Sequence, residues 1–143
     1  MKRTIHGNLI VVNGVGILIL GDAGSGKTTV CLELADRGHN FIADDAVVIE
    51  KSGERVIGEA SPLTNCRMNV RGAGIFQNPH RSDRSSSCEI ALVVEIGEEK
   101  CGGDSHERLF EFSDGYDELL NIPNVGLMPH TFNLARSIEE LAK

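Results

Sequence analysis

The stretch Gly21-Asp22-Ala23-Gly24-Ser25-Gly26-Lys27-Thr28 decides how this chain is read. It has the form Gly-x-x-x-x-Gly-Lys-Thr, the Walker A pattern of phosphate-binding loops. Gly16 to Leu20, just before it, is apolar and β-rich. From Thr28 to Arg37 the apolar positions Val30, Cys31, Leu34 and Ala35 recur at helical spacing, and Gly38 stops the run. A strand, a glycine-rich turn and a helix in that order distinguish such a loop from a chance Gly-rich turn. Backbone N–H groups of the turn and of the helix N-terminus then converge on phosphate oxygens. Lys27 supplies a point charge for β and γ phosphates, and the Thr28 hydroxyl is placed to hold Mg²⁺. Residues 21–28 are therefore the expected nucleotide-binding segment.

Working outward, Leu9–Val12 and Val15–Leu20 flank Asn13-Gly14, a two-residue hairpin signal. Phe41-Ile42-Ala43 reads as a short buried strand running into Asp44-Asp45. A second hairpin is expected from Ala46–Glu50 and Arg55–Ile57 around Ser52-Gly53. Further strands are expected over Cys66–Val70, Ile90–Ile96, Leu109–Phe112 and Val125–Met128, with a helical turn over Tyr116–Leu120. The segments 77–87 and 97–105 read as loops. Asn133–Lys143 closes the sequence as an amphipathic helix with Leu134, Ile138 and Leu141 on one face. Each βαβ unit of a parallel-sheet NTPase takes roughly 30 residues or more, and no second crossover is visible after the first helix. Many strands and few helices predict an α/β or α+β chain with a mixed sheet.

Composition narrows the function classes. The 143 residues hold 14 Lys+Arg and 21 Asp+Glu, a formal charge of −7, which argues against nucleic acid or an anionic membrane as the main partner. One domain spanning 1–143 is expected. The four cysteines at 31, 66, 88 and 101 form no C-x-x-C pair, so free thiols in a reducing compartment are the simplest reading. Met1 to His6 is basic but is followed by no apolar stretch suited to export, and cytoplasmic localisation is the expectation.

Two acids stand out. Asp44-Asp45 end the strand that follows the first helix, and Asp45 comes eighteen residues after Lys27. Adjacent carboxylates there suit a Mg²⁺ partner and a general base, the two tasks phosphoryl transfer sets for acids; a solvated pair at a turn is the alternative. Glu95 is a second metal-side candidate, although its place after Ala-Leu-Val-Val fits an edge-strand charge better. His39, His80, His106 and His130 lack ligand spacing and read as surface or loop residues.

Together, His6-Gly7, Gly14 through Lys27, Leu32-Glu-Leu-Ala-Asp-Arg-Gly-His39 and Ala43-Asp-Asp45 resemble the catalytic domain of HPr kinase/phosphorylase. Val70-Arg-Gly-Ala-Gly-Ile75 resembles that family's signature segment, and Ile122-Pro through Asn133-Leu-Ala135 its C-terminal region. The resemblance implies a compact, catalytic-domain-only enzyme that uses ATP and Mg²⁺ to phosphorylate a serine of an HPr-type phosphocarrier protein and so regulates the phosphotransferase system. It implies a reverse phosphorylase reaction, a mixed sheet like that of phosphoenolpyruvate carboxykinase, and assembly as a homo-hexamer. By position, Lys27 matches the phosphate lysine, Thr28 a Mg²⁺-binding serine, Asp45 the catalytic aspartate and His6 an active-site histidine. Arg71 is expected to stabilise transferring charge, and Asp44 and Asn69 join Thr28 as metal-side residues.

The chain also departs from the family. Asn69 replaces a Mg²⁺-linked glutamate; an amide oxygen ligates a hard cation but adds no charge. Thr29 stands where an acid is usual. His130-Thr-Phe-Asn133 replaces Pro-Gly-Arg-Asn, removing an arginine tied to the reverse reaction and to carrier engagement. Two other readings stay open: a kinase for another protein or a small hydroxyl acceptor, and a nucleotide-binding regulatory module.

Overall fold

Asn13 and Gly14 both adopt positive φ, 52° and 80°, as a type I′ turn requires. That turn sets Val12 opposite Val15 and fixes the register of the hairpin leading into the Gly-rich loop. A computed structural model of the chain describes residues 2–21, 26–60, 67–70, 74–77, 87–97, 122–127 and 133–143. In chain order the strands are β1 (Lys2–Ile5), β2 (Asn8–Val12), β3 (Val15–Gly21), β4 (Asn40–Ala43), β5 (Val47–Ser52), β6 (Arg55–Ala60), β7 (Arg67–Val70), β8 (Gly74–Gln77), β9 (Ser87–Glu89), β10 (Leu92–Ile96) and β11 (Asn124–Leu127). Helix α1 (Lys27–Asp36) follows β3, and helix α2 (Leu134–Leu141) follows β11. The strand and helical turn expected over 109–112 and 116–120 lie outside the described residues.

A five-stranded sheet runs β11-β10-β3-β2-β4, and a four-stranded sheet runs β1-β5-β6-β9. The first is mixed, as expected: β10 pairs parallel with β3 and β11, whereas β2 pairs antiparallel with β3 and β4. Ile17 and Ile19 of β3 face α1 and α2, while Leu18 and Leu20 face the four-stranded sheet. The strand is thus buried on both sides, which is why its sequence is a continuous apolar run rather than an alternating one. The order of layers is sheet, sheet, helices.

Helix α1 ends in a Schellman motif. Gly38 at φ 97° lets its N–H reach the Ala35 carbonyl at 3.0 Å and the His39 N–H reach the Leu34 carbonyl at 3.1 Å. His39 then turns inward, and its Nε2 lies 2.6 Å from Glu139 Oε2 on α2, whose other oxygen pairs with Arg37. Read as a surface residue from sequence, His39 instead helps tie the two helices together. On α2 the buried seam is Leu134, Ala135, Ile138 and Ala142, whereas Leu141, expected on the inner face, is 40% exposed. Four-residue steps carry the seam to Ala142 and turn Leu141 outward.

Three strands went unmarked in the sequence. β1 pairs with β5, β8 pairs with β7, and β9 pairs with β6 as the last strand of the four-stranded sheet. From β9 the chain crosses to the other sheet at Gly16, where the Ala91 N–H donates to the Gly16 carbonyl at 2.8 Å. A Cβ on Gly16 would lie 1.9 Å from the Glu89 carbonyl oxygen, so only glycine permits this crossing.

Two predictions follow from this packing. Gly16→Ala should cost about 3 kcal/mol or more in urea denaturation, because a backbone oxygen cannot yield. Gly14→Ala meets nothing within 4 Å and should cost only about 1 kcal/mol of left-handed strain; equal losses would contradict the crossing. The Arg37 and His39 hydrogen bonds hold the Glu139 carboxyl down at about 2. Its contribution to stability is therefore complete above the usual carboxylate range near 4.5 and is lost as pH falls towards 2. Glu139→Gln should unfold more readily than wild type at neutral pH, with the gap between their melting temperatures closing through that acid window.

Candidate active site

Because β2 is antiparallel to both neighbours, its first residues lie beside the last residues of β3 and β4. His6, Gly7 and Asn8 therefore meet Asp44-Asp45 next to the Gly-rich loop. Gly7 allows a close approach here, since a Cβ there would come within 2.9 Å of Leu20 Cδ2 and 3.1 Å of the Ile19 carbonyl oxygen.

The loop leads into α1 through Gly26 at φ 98°, and among the described residues no side chain caps the helix N-terminus. Free N–H groups at such an end, with the helix dipole, form an anion site. Lys27 is buried at the start of α1. Thr28 Oγ1 donates to Asp44 Oδ1 at 3.0 Å, so the expected metal-side hydroxyl and carboxylate do come together. Two hard oxygens beside a phosphate site suit Mg²⁺, which binds through one or two carboxylates plus phosphate oxygens and water. Among the described residues no group of three or more His, Cys, Asp or Glu could hold a metal alone.

Asp45 occupies the left-handed region at φ 68°. The Ala46 N–H donates to the Asp44 carbonyl at 2.8 Å across it, a three-residue γ-turn. Backbone strain of this sort collects at functional sites and persists where surrounding contacts impose it. The contacts here come from residues 7 and 8. The Gly7 N–H donates to the Asp45 carbonyl at 3.3 Å, and the Asp45 N–H donates to Asn8 Oδ1 at 3.2 Å. The turn aims the Asp45 side chain at solvent, where Oδ1 lies 3.2 Å from His6 Nδ1. Asp44 goes the other way and is buried.

The structure thus gathers His6, Gly21, Gly26, Lys27, Thr28, Asp44 and Asp45 at one end of the five-stranded sheet. Asp22, Ala23, Gly24, Ser25 and Arg71 lie outside the described residues. Asn69 sits on β7, opposite Ile75, in a strand that lies against α1. Glu95 is not on an edge: β10 is flanked by β3 and β11, and Glu95 is fully buried opposite Leu20 and Gly126. Strand alternation puts it on the face of Val93 and Leu20, away from α1 and Thr28. Asn8 was not anticipated. The available signal was a polar residue opening the apolar run Leu9–Val12, in phase with the inward-facing Ile10 and Val12.

Beneath these residues lies Cys31, whose thiol burial pushes up to about 12 despite a hydrogen bond with Asn8. It stays protonated at neutral pH and acts as a small apolar group in the floor of the site.

The family model of the HPr serine kinase C-terminal domain matches residues 1–132. The HPr kinase/phosphorylase of Mycoplasmopsis pulmonis is 38% identical over 111 residues, 76% of this chain and 36% of that protein. That of Clostridium acetobutylicum is 39% identical over 125 residues, 85% of this chain and 40% of the relative. The chain thus spans less than half the length of these relatives. Among solved structures, the Hpr(Ser) kinase/phosphatase from Coxiella burnetii superposes with a TM-score of 0.76 at 26% identity, covering 97% of this chain and 93% of that one.

The strained turn makes its own prediction. Asp45→Gly relieves left-handed strain, loses an exposed contact with His6 and adds unfolded-state entropy, each about 1 kcal/mol or less, so stability should stay within about 1 kcal/mol of wild type. Asp45→Val places a β-branched residue at φ 68° and should be less stable than the glycine variant by roughly 1–3 kcal/mol. Urea denaturation of the two proteins checks this, and equal stability would rule out the turn.

Proposed function

The chain belongs to the HPr serine kinase C-terminal domain family, and on that premise we propose that it is a Mg²⁺- and ATP-dependent kinase for a serine of an HPr-type phosphocarrier protein. The observation that carries this reading is the convergence of an exposed His6–Asp45 pair with Lys27, Thr28 and Asp44 at the mouth of a phosphate-binding loop. Phosphoryl transfer needs little more from a protein than positioning and charge stabilisation. In this reading Lys27 and the N–H groups of α1 hold the nucleotide phosphates, and Thr28 and Asp44 hold the cation side. Mg²⁺, when bound, neutralises charge on the transferring phosphoryl group.

Asp45 accepts the proton of the acceptor serine as its oxygen bonds to the γ-phosphorus and the bond from that phosphorus to the β–γ bridging oxygen breaks. The proton ends on the Asp45 carboxylate, the displaced electron pair on ADP. His6, beside that carboxylate, orients it and takes part in discharging the proton. The acceptor comes from solvent, and it is Asp45 rather than the buried Asp44 that faces solvent.

The same family resemblance supports regulation of the phosphotransferase system in the cytoplasm by a homo-hexameric enzyme, with Asn69 and Arg71 contributing to the metal side and to charge stabilisation. No helix among the described residues is long and apolar enough to cross a membrane. Asn69 favours one other reading, a nucleotide-binding module with weakened transfer, because the amide supplies no charge to the cation.

Intact-mass spectrometry of an HPr-type carrier protein, incubated with the chain, ATP and Mg²⁺, tests the assignment. One phosphate-sized gain on a serine is expected, absent with Lys27→Ala. Asp45→Asn, which removes the proton acceptor, should slow transfer by about 10²–10⁴-fold. No gain with wild type, alongside tight ATP binding, would reject the protein-kinase assignment and favour the nucleotide-binding module.

A further inference from the structure

Asn8 is fully buried at the head of β2, in a position where strand alternation calls for an apolar residue. A buried amide is tolerated where both of its ends are satisfied, and here both ends reach the acidic corner. Nδ2 donates to Asp44 Oδ1 at 2.7 Å, and Oδ1 accepts the Asp45 N–H at 3.2 Å. The same Asp44 oxygen receives the Thr28 hydroxyl at 3.0 Å. One carboxylate oxygen is therefore gripped from two elements at once, by β2 and by α1. The other end of the amide holds the γ-turn that points Asp45 at His6. That His6–Asp45 contact is more than half exposed on both sides, and exposed pairs fix geometry weakly. The backbone anchors therefore set where Asp45 sits, and His6 only turns the carboxylate placed there.

We propose that Asn8 is a positioning residue, its two amide ends holding the Asp44 carboxylate against Thr28 and the Asp45 backbone in its left-handed turn. The proposal rests on reading the site as a Mg²⁺-nucleotide phosphotransferase. A small displacement of a general base is costly to turnover, whereas loss of a remote packing contact lowers stability alone.

The test uses Asn8→Leu, close in size but without polar ends, and Asn8→Ala, which leaves room for water. Each is compared with wild type by melting temperature, by calorimetric ATP affinity with and without Mg²⁺, and by kcat and KM on an HPr-type carrier. Measurements are made where circular dichroism shows full folding. The expected result is a kcat lower by about tenfold or more, with carrier KM and Mg²⁺-free ATP affinity within about twofold of wild type. The gain in ATP affinity on adding Mg²⁺ should also shrink by roughly threefold or more, since Asp44 is no longer held on Thr28 from the β2 side. A lower melting temperature with kcat and the Mg²⁺ gain at wild-type values would overturn the proposal and leave Asn8 a packing residue. If Asn8→Leu does not fold, Asn8→Ala decides by the same criteria. If wild type transfers no phosphate to the carrier, the kinase reading fails on its own and the Mg²⁺ gain decides the role of Asn8. Wild type showing neither transfer nor a Mg²⁺ gain overturns both.

Discussion

Strand β2 is hydrogen-bonded between β3 and β4 and antiparallel to each, and the organisation of the candidate site depends on that pairing. An antiparallel neighbour begins where its partner ends. Residues 6–8, which enter β2, are therefore level with residue 21, where β3 gives way to the loop, and with residues 44–45, where β4 ends. Three segments far apart in the chain meet with no long connection, and each is anchored by a strand buried in the core. The type I′ turn at Asn13-Gly14 sets this register, and a one-residue slip would turn every side chain of β2 over. Asn8 would then leave the acidic corner and Leu9 would enter it.

The corner gives up some stability for its geometry. It holds a buried carboxylate, a buried lysine and a buried amide, along with a non-glycine residue at positive φ. Each is unfavourable by itself, and the carboxylate, the amide and the strained residue are tolerated because their neighbours satisfy them. Asn8 offsets two of these costs at once, meeting the buried Asp44 carboxylate and the N–H of the strained Asp45. The surrounding framework is apolar and ordinary, with Leu9, Leu18 and Ile42 packed between the sheets and Ile10, Ile17 and Phe41 under the helices. The strain at Asp45 falls at the sheet's end, where a rigid scaffold can sustain it.

What the sequence revealed was what local chemistry determines. The Asn-Gly turn, the Gly-rich loop, the α1 periodicity ending at Gly38 and the β5–β6 hairpin are all written within a few neighbouring residues. The features left unread are settled by distant partners. β1 is a short run with three exposed polar residues, Lys2, Arg3 and Thr4, and it becomes a strand by pairing with β5. β9 follows a polar stretch and is defined by β6. Glu95 suggested an edge because charge is usually excluded from sheet interiors, and only the pairing of β10 with β11, nearly thirty residues on, places it inside. His39 and Leu141 were misplaced for a related reason, since the way α2 docks on α1 is not encoded in either helix alone. At the site, Lys27, Thr28 and the two acids were legible by type and spacing. Their division into a buried acid and an exposed one was not, because it depends on a single positive φ at Asp45.

That division separates this site from phosphate loops in parallel sheets. In those proteins a carboxylate serving Mg²⁺ accompanies the phosphate loop, as in the Walker-B aspartate. Here the parallel neighbour β10 does carry an acid level with the end of β3, but Glu95 lies on the face turned towards the second sheet. The acids beside Thr28 arrive instead from β4, two strands over, and they come as a consecutive pair. Consecutive residues of a regular strand would project to opposite faces of the sheet, leaving one of them remote from Thr28. The γ-turn at Asp45 removes that restriction by bending the backbone as the strand ends. One carboxylate can then stay beside the Thr28 hydroxyl while the next reaches solvent beside a histidine. Two consecutive residues thereby set a buried acid beside the Thr28 hydroxyl and a solvent-facing acid beside His6, which a regular strand end would not do.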